Sequence, residues 1–131
     1  MFPSRPLPDI RINTDDYNRV LLLAEAVERS SPYVSFYLER ELHRADICHP
    51  WEPAGISMGM VARFRIDDGP EVRSGRLSYP ETTDTARGDI SILSPLGAAL
   101  IGMHPGQSID WMEDARLHTL TIEGAAWPLE G

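Results

Sequence analysis

The feature that most constrains this chain is a change in the spacing of its apolar residues. Between residues 17 and 45 they recur every three or four positions, and from Ser57 onward they alternate. The first spacing lines one face of a helix and the second one face of a strand. The order predicts helices first and a sheet afterwards, an α+β fold. The change falls at "CHPWEPAG", 48–55, where two prolines and a glycine read as a linker. Residues 1–50 are therefore expected to form a helical unit and residues 51–131 a sheet unit.

Asn13 or Thr14 suits a helix N-cap, and Asp15 and Asp16 then place negative charge in the first turn, where the helix dipole favours it. Tyr17, Val20, Leu21, Ala24 and Val27 form the apolar stripe, and "ERSSP" at 28–32 interrupts it. A second stripe, Val34, Tyr37, Leu38, Leu42 and Ala45, leaves Glu39, Arg40, Glu41 and Arg44 facing mostly away. A short connection makes the two helices an antiparallel hairpin. A hairpin lying flat on a core and an arm projecting roughly 20 Å both satisfy this pattern.

In the second unit Met58, Met60, Ala62, Phe64 and Ile66 share one strand face, opposite Arg63 and Arg65. "DDGP" at 67–70 is a turn, so "EVRSGRLSYP" returns as an antiparallel partner. "ETTDTARG" is a polar loop, "DISIL" at 89–93 a third strand, and "HPGQS" a turn with Pro105 before Gly106. Ile109 and Trp111 begin a fourth strand, "ED" turns it, and "ARLHTLTIE" makes a fifth. The unit reads as an antiparallel sheet with one short helix.

That helix lies in "LSPLGAALIG", 93–102. Ser94 can cap it through its hydroxyl, and Pro95 suits the first helical position, where a missing N–H costs nothing. Leu96, Ala99 and Leu100 form a narrow apolar stripe, Gly97 and Ala98 keep another side small, and Gly102 suits a left-handed close. The stripe is expected to cover the open face of the sheet.

A length of 131 residues suits one domain with an appendage. All 12 basic residues are arginine, against 20 acids, for a net charge of -8. Such a chain lacks the cationic excess that drives nonspecific binding to duplex nucleic acid. The start, "MFPSRPLPDIRIN", holds no apolar run long enough for a signal peptide or spanning helix, so the protein is expected in the cytoplasm and off the membrane. The single cysteine, Cys48, has no internal disulfide partner.

"DISILSPLGAALIGMHPGQSIDW" resembles the C-terminal signature of the bacterial Rnk family, the regulators of nucleoside diphosphate kinase, and more distantly of the Gre transcript cleavage factors. "VARFRIDDG" at 61–69, "LSYPE" at 77–81 and "RADICHPWEP" at 44–53 match the same family in order. The resemblance implies an N-terminal antiparallel coiled coil and an FKBP-like C-terminal domain. It implies bacterial RNA polymerase as partner, bound at its secondary channel in competition with Gre-type factors and without sequence-specific DNA contact. Carried onto this chain, the docking residues are Leu93, Ser94, Pro95, Leu96 and Gly97, with Ser31, Pro32 and Tyr33 at the hairpin tip. Gre factors commonly have an acid where Leu93 stands. Their cleavage activity relies on two acids at the tip that help hold a metal ion, and "RSSPYVS" has none between Arg29 and Ser35. The resemblance thus implies channel binding without stimulated cleavage, no enzymatic activity and no cofactor.

Two further readings concern chemistry. An FKBP-like fold raises prolyl isomerase activity, for which Phe64, Tyr79, Trp111 and Trp127 would have to line one pocket, although fold alone does not give function. His43, Cys48 and His49 are metal-ligand types, but their spacing matches no common zinc pattern. The family name also raises nucleoside diphosphate kinase itself as a direct partner.

Overall fold

The computed structural model describes residues 6–129. The first five residues of the proline-rich start, and the last two of the chain, lie outside them. A short strand, β1 (Arg11–Asn13), leads directly into α1 (Thr14–Ala26), and α2 (Pro32–Arg44) returns to β2 (Asp46–Cys48). Then follow β3 (Val61–Ile66), β4 (Arg73–Ser78), β5 (Ile90–Ser91), α3 (Pro95–Leu100), β6 (Ser108–Glu113) and β7 (Arg116–Ala126). The fold is α+β: a helical hairpin packed on a curled, mixed sheet of order β5-β4-β3-β7-β6.

The start of α1 follows its local chemistry, since the Asn13 side chain accepts from Asp16 N at 2.9 Å. Pro32 occupies the first turn of α2. One core runs through both parts of the chain. It joins Val20, Ala24, Leu38 and Leu42 of the hairpin to Ala98 and Leu100 of α3 and to Phe64, Leu77, Leu120 and Ile122 of the sheet.

The structure departs from the sequence reading in several places. β1 and β2 pair in parallel, with Arg11 opposite Asp46 and Asn13 opposite Cys48. Strands of three residues are too short to show alternation. The expected linker is fastened rather than loose: Gly55 N donates to Arg11 O at 3.0 Å and Gly102 N to Ile56 O at 2.8 Å. A Cβ at Gly55 would stand 2.0 Å from the Gly102 carbonyl oxygen, so this crossing admits glycine alone.

The sheet is not purely antiparallel. β5 runs parallel to β4, because two 3₁₀ turns, Pro80–Thr82 and Thr85–Arg87, carry the chain across before it returns. β3 begins at Val61, leaving Met58 and Met60 in the turn before it. The last hairpin turns at Asp114 and Ala115, whose φ angles are +53° and +62°, while Glu113 stays in the ladder opposite Arg116. Positive φ at both positions is what a two-residue loop between twisted strands needs.

Glu41 does not face away either. It is 1% exposed, and its carboxylate accepts from Arg44 Nε at 3.1 Å and Nη2 at 2.7 Å, with Arg40 Nη2 at 3.5 Å. Arg44 also donates to the Pro8 carbonyl. A helical period alone cannot show that a carboxylate turned toward the core is met by a guanidinium one turn on.

Candidate functional site

The corner between β5 and α3 is built from two hydroxyls, those of Ser94 and Ser91. Ser94 Oγ donates to Ser91 O at 2.7 Å and accepts from Gly97 N at 3.0 Å. Leu93 N is held in turn by Ser91 Oγ at 3.1 Å. Ser94 therefore shapes the corner from within, its hydroxyl already engaged on both sides. Leu93 and Leu96 are half-buried and pack against the core. Gly97 is buried, and a Cβ there would lie 2.0 Å from the Ser91 carbonyl oxygen. Its lack of a side chain lets α3 approach β5, so within the expected docking residues Gly97 acts by setting the shape of the corner. α3 is wedged between α2, β5 and β6 rather than simply laid over the sheet, so Ala98, Ala99 and Leu100 are all buried and Leu96 only partly.

The hairpin tip is the connection at 27–31 and the first turn of α2. Ser31 N donates to Val27 O at 2.8 Å, and its side chain caps nothing. Behind the tip, the buried Ser35 hydroxyl donates to Ala24 O at 2.7 Å and ties the helices together. Pro32 is exposed and Tyr33 half-exposed. Because the connection starts at residue 27, it includes one exposed acid, Glu28, just outside the acid-free stretch read from the sequence.

Tip and corner meet. Tyr33 Oη donates to Met112 O at 3.4 Å, and Tyr33 and Pro95 border one recess of about 460 Å³, closed by the turn from Met112 to Ala115. Two segments far apart in sequence thus share a surface.

Asp15 and Asp16 stand at the foot of the hairpin, as their position in α1 requires. Asp16 Oδ2 accepts from Met58 N at 3.0 Å, and burial raises its carboxyl above the usual range against the pull of these hydrogen bonds. Arg19 lies 3.7 Å over the Tyr79 ring and pairs with Glu81.

The residues weighed for chemistry do not assemble. His43 is exposed, Cys48 is buried with Sγ 3.9 Å from Pro53 O, and His49 stacks on Trp51 with centroids 4.5 Å apart. Among the described residues no three His, Cys, Asp or Glu side chains are placed to hold a metal ion. Phe64 is in the core, while Tyr79, Trp127 and Trp111 line three separate recesses. No described helix is long and apolar enough to cross a membrane.

A surface that the sequence reading passed over runs beside the tip. Phe36, assigned to neither face, is 68% exposed. Tyr33, Phe36, Tyr37 and Arg40 form a second stripe along α2, facing Trp111, Met112 and Leu117 across a groove of about 430 Å³. The signal was present, since these residues follow the i, i+3, i+4, i+7 spacing of one helix face.

Residues 53–124 match the family model described as transcription elongation factor, GreA/GreB, C-term. The chain is 36% identical over 107 residues to the "Regulator of nucleoside diphosphate kinase" of Escherichia coli (strain K12), covering 79% of this chain and 78% of the relative. The protein of that name from Shigella flexneri matches to the same extent. Among solved structures, "Prokaryotic transcription elongation factor GreA/GreB from Nitrosomonas europaea" is 30% identical, with a TM-score of 0.71 over 91% of this chain and 100% of that one. On sequence and fold together, the chain belongs to the GreA/GreB family, where it is similar to the regulators of nucleoside diphosphate kinase.

Proposed function

We propose that this protein is a non-catalytic transcription regulator that binds bacterial RNA polymerase at the secondary channel, competes there with Gre-type factors, and does not stimulate transcript cleavage. The observation that carries this reading is the shared recess of Tyr33 and Pro95, which makes the hairpin tip and the α3 corner a single face. Within that face Pro95 and the outer parts of Leu93, Ser94 and Leu96 meet the partner, with Ser31, Pro32 and Tyr33 beside them. The tip connection holds one carboxylate, Glu28. Clamping a hard divalent cation between two polypeptides takes several oxygen ligands, and Asp16 is already committed to Met58 N at the other end of α1.

The test is binding to core RNA polymerase by the full chain and by Pro95→Asn and Tyr33→Ala. Each substitution is expected to weaken binding about ten-fold, near 1.4 kcal/mol. Wild-type affinity in both variants removes the proposed face, and no binding by the wild type removes the polymerase reading. On a backtracked elongation complex the protein should leave cleavage at its basal rate and suppress the stimulation given by a Gre factor. The kinase is a second reading, favoured by the names of the relatives. Saturable binding to purified nucleoside diphosphate kinase would support a direct link, whereas the polymerase reading makes that link indirect, through transcription.

A further inference from the structure

The groove beside the tip shares Tyr33 and Met112 with the recess just described, while Phe36, Arg40, Trp111 and Leu117 lie outside that recess. Phe36, Leu117 and Met112 are 68%, 51% and 40% exposed and border one concavity. A lone exposed apolar residue needs no explanation, but a group around one hollow marks a binding surface. Tyr37 Oη and Trp111 Nε1, on two residues that line the hollow, are buried and without a hydrogen-bond partner among the described residues. An indole N–H can only donate. Burial holds the Tyr37 phenol protonated well above neutral pH. Both groups therefore lack an acceptor.

Charge runs along the groove. At one end Tyr33 and Met112 lead into the recess with Glu113 and Asp114, neither of them ion-paired among the described residues. Arg116 stands opposite Glu113 in the ladder without reaching it as an ion pair. At the other end Arg40 lies 4.8 Å over the Tyr37 ring and 3.5 Å from Glu41, a carboxylate that Arg44 holds more closely. Asp110 also borders the groove, its carboxylate accepting from Thr119 Oγ1 at 2.8 Å. From Tyr33 to Arg40 is about 10 Å, two turns of helix.

We infer that this groove receives an amphipathic helix from a protein partner. The helix lays its apolar face over Phe36, Met112 and Leu117, with a basic residue toward Glu113 and Asp114 and an acid beside Arg40. Helices seated in grooves commonly use anchors at this spacing. The groove adjoins the proposed polymerase face at Tyr33 and Met112, and the two are told apart at Phe36 and Leu117, which line the groove alone.

The probe is a synthetic amphipathic peptide of about four helical turns, leucines on one face, lysines at one end and glutamates at the other. It is titrated into the labelled full-length protein and read by NMR at the Trp111 indole N–H. Binding should move that resonance and weaken at least ten-fold in Phe36→Ser and Leu117→Ser, both at exposed positions, with folding checked by circular dichroism. Leu22→Ser, on exposed α1 surface, should bind as wild type. The double variant Glu113→Lys, Asp114→Lys should bind the peptide at least three-fold more weakly, and should prefer a version whose lysines are glutamates. An unmoved Trp111 resonance, wild-type affinity in Phe36→Ser, or indifference to peptide charge overturns the inference. Self-association abolished by Phe36→Ser, with no peptide binding, overturns it in favour of a second copy of this chain. Polymerase binding measured on the same variants separates the two ideas: Phe36→Ser should keep it and Pro95→Asn should not.

Discussion

The two ends of the helical hairpin are held in opposite ways. At the foot, β1 and β2 pair, Glu41 and Arg44 form a buried ion pair that reaches Pro8, and Asp16 accepts from Met58 N. At the tip one 3.4 Å hydrogen bond joins Tyr33 to Met112, and beside it lies an open apolar groove. Asp16, Glu41 and Arg44 at the foot each have a hydrogen-bond partner within this chain, and Arg11 Nε, which lacks a hydrogen bond, lies 3.3 Å from Asp46 as an ion pair. The tip leaves side chains and two buried donors without partners, which is the condition of a surface that meets something else.

Changes at the foot should cost the most stability. Gly55→Ala drives a methyl group against the Gly102 carbonyl and should destabilise the fold by about 3 kcal/mol or prevent folding, seen in urea unfolding or soluble yield. A stability near that of the wild type would mean that the crossing can relax and that the foot is less tightly fastened than its geometry indicates. Glu41→Ala leaves Arg44 without its carboxylate. Because the Arg44 side chain is 18% exposed and water can reach part of it, the loss should be about 2 kcal/mol, below that of a fully buried broken pair.

A smaller effect at the foot is one of pH. Asp16 has its pKa raised by burial, so the folded state favours the protonated acid. Its contribution is complete below the ordinary carboxylate pKa near 4 and is lost as pH rises through the raised folded value. The wild type should therefore lose stability relative to Asp16→Asn across that interval, measured as the difference in urea midpoints from pH 4 to 7. A constant difference would show that the carboxylate is not penalised in the fold. At the tip, Tyr33→Phe should change stability by less than about 0.5 kcal/mol, since it removes one long, exposed bond. A larger loss would make the tip a structural joint like the foot and erase the contrast.

Much of the fold was legible in the residues. The cap at Asn13, one of the two residues that suited it, and the Ser94, Pro95 and Gly102 signals of α3 rest on interactions within a few positions, and the observed elements fall where those signals put them. Three-residue strands were illegible because so short a run has no period. The direction of β5 was illegible because it depends on how a polar loop crosses the sheet. The docking residues could be carried over by resemblance, but not their surroundings: Gly97 reads as surface in a stripe of small residues and is buried in the fold.

Local sequence by itself determined the helix ends, the order of helical and sheet segments, and the capped corner at Ser94, because caps, turns and periodicity act over one or two turns of chain. Only the tertiary structure decided that Tyr33 lies beside Pro95, that Glu41 is sealed against Arg44, and that α2 keeps a second apolar stripe open along β6 and β7. Those outcomes depend on contacts between residues distant in sequence, where packing and burial choose which face of an amphipathic element is covered and which is left for a partner.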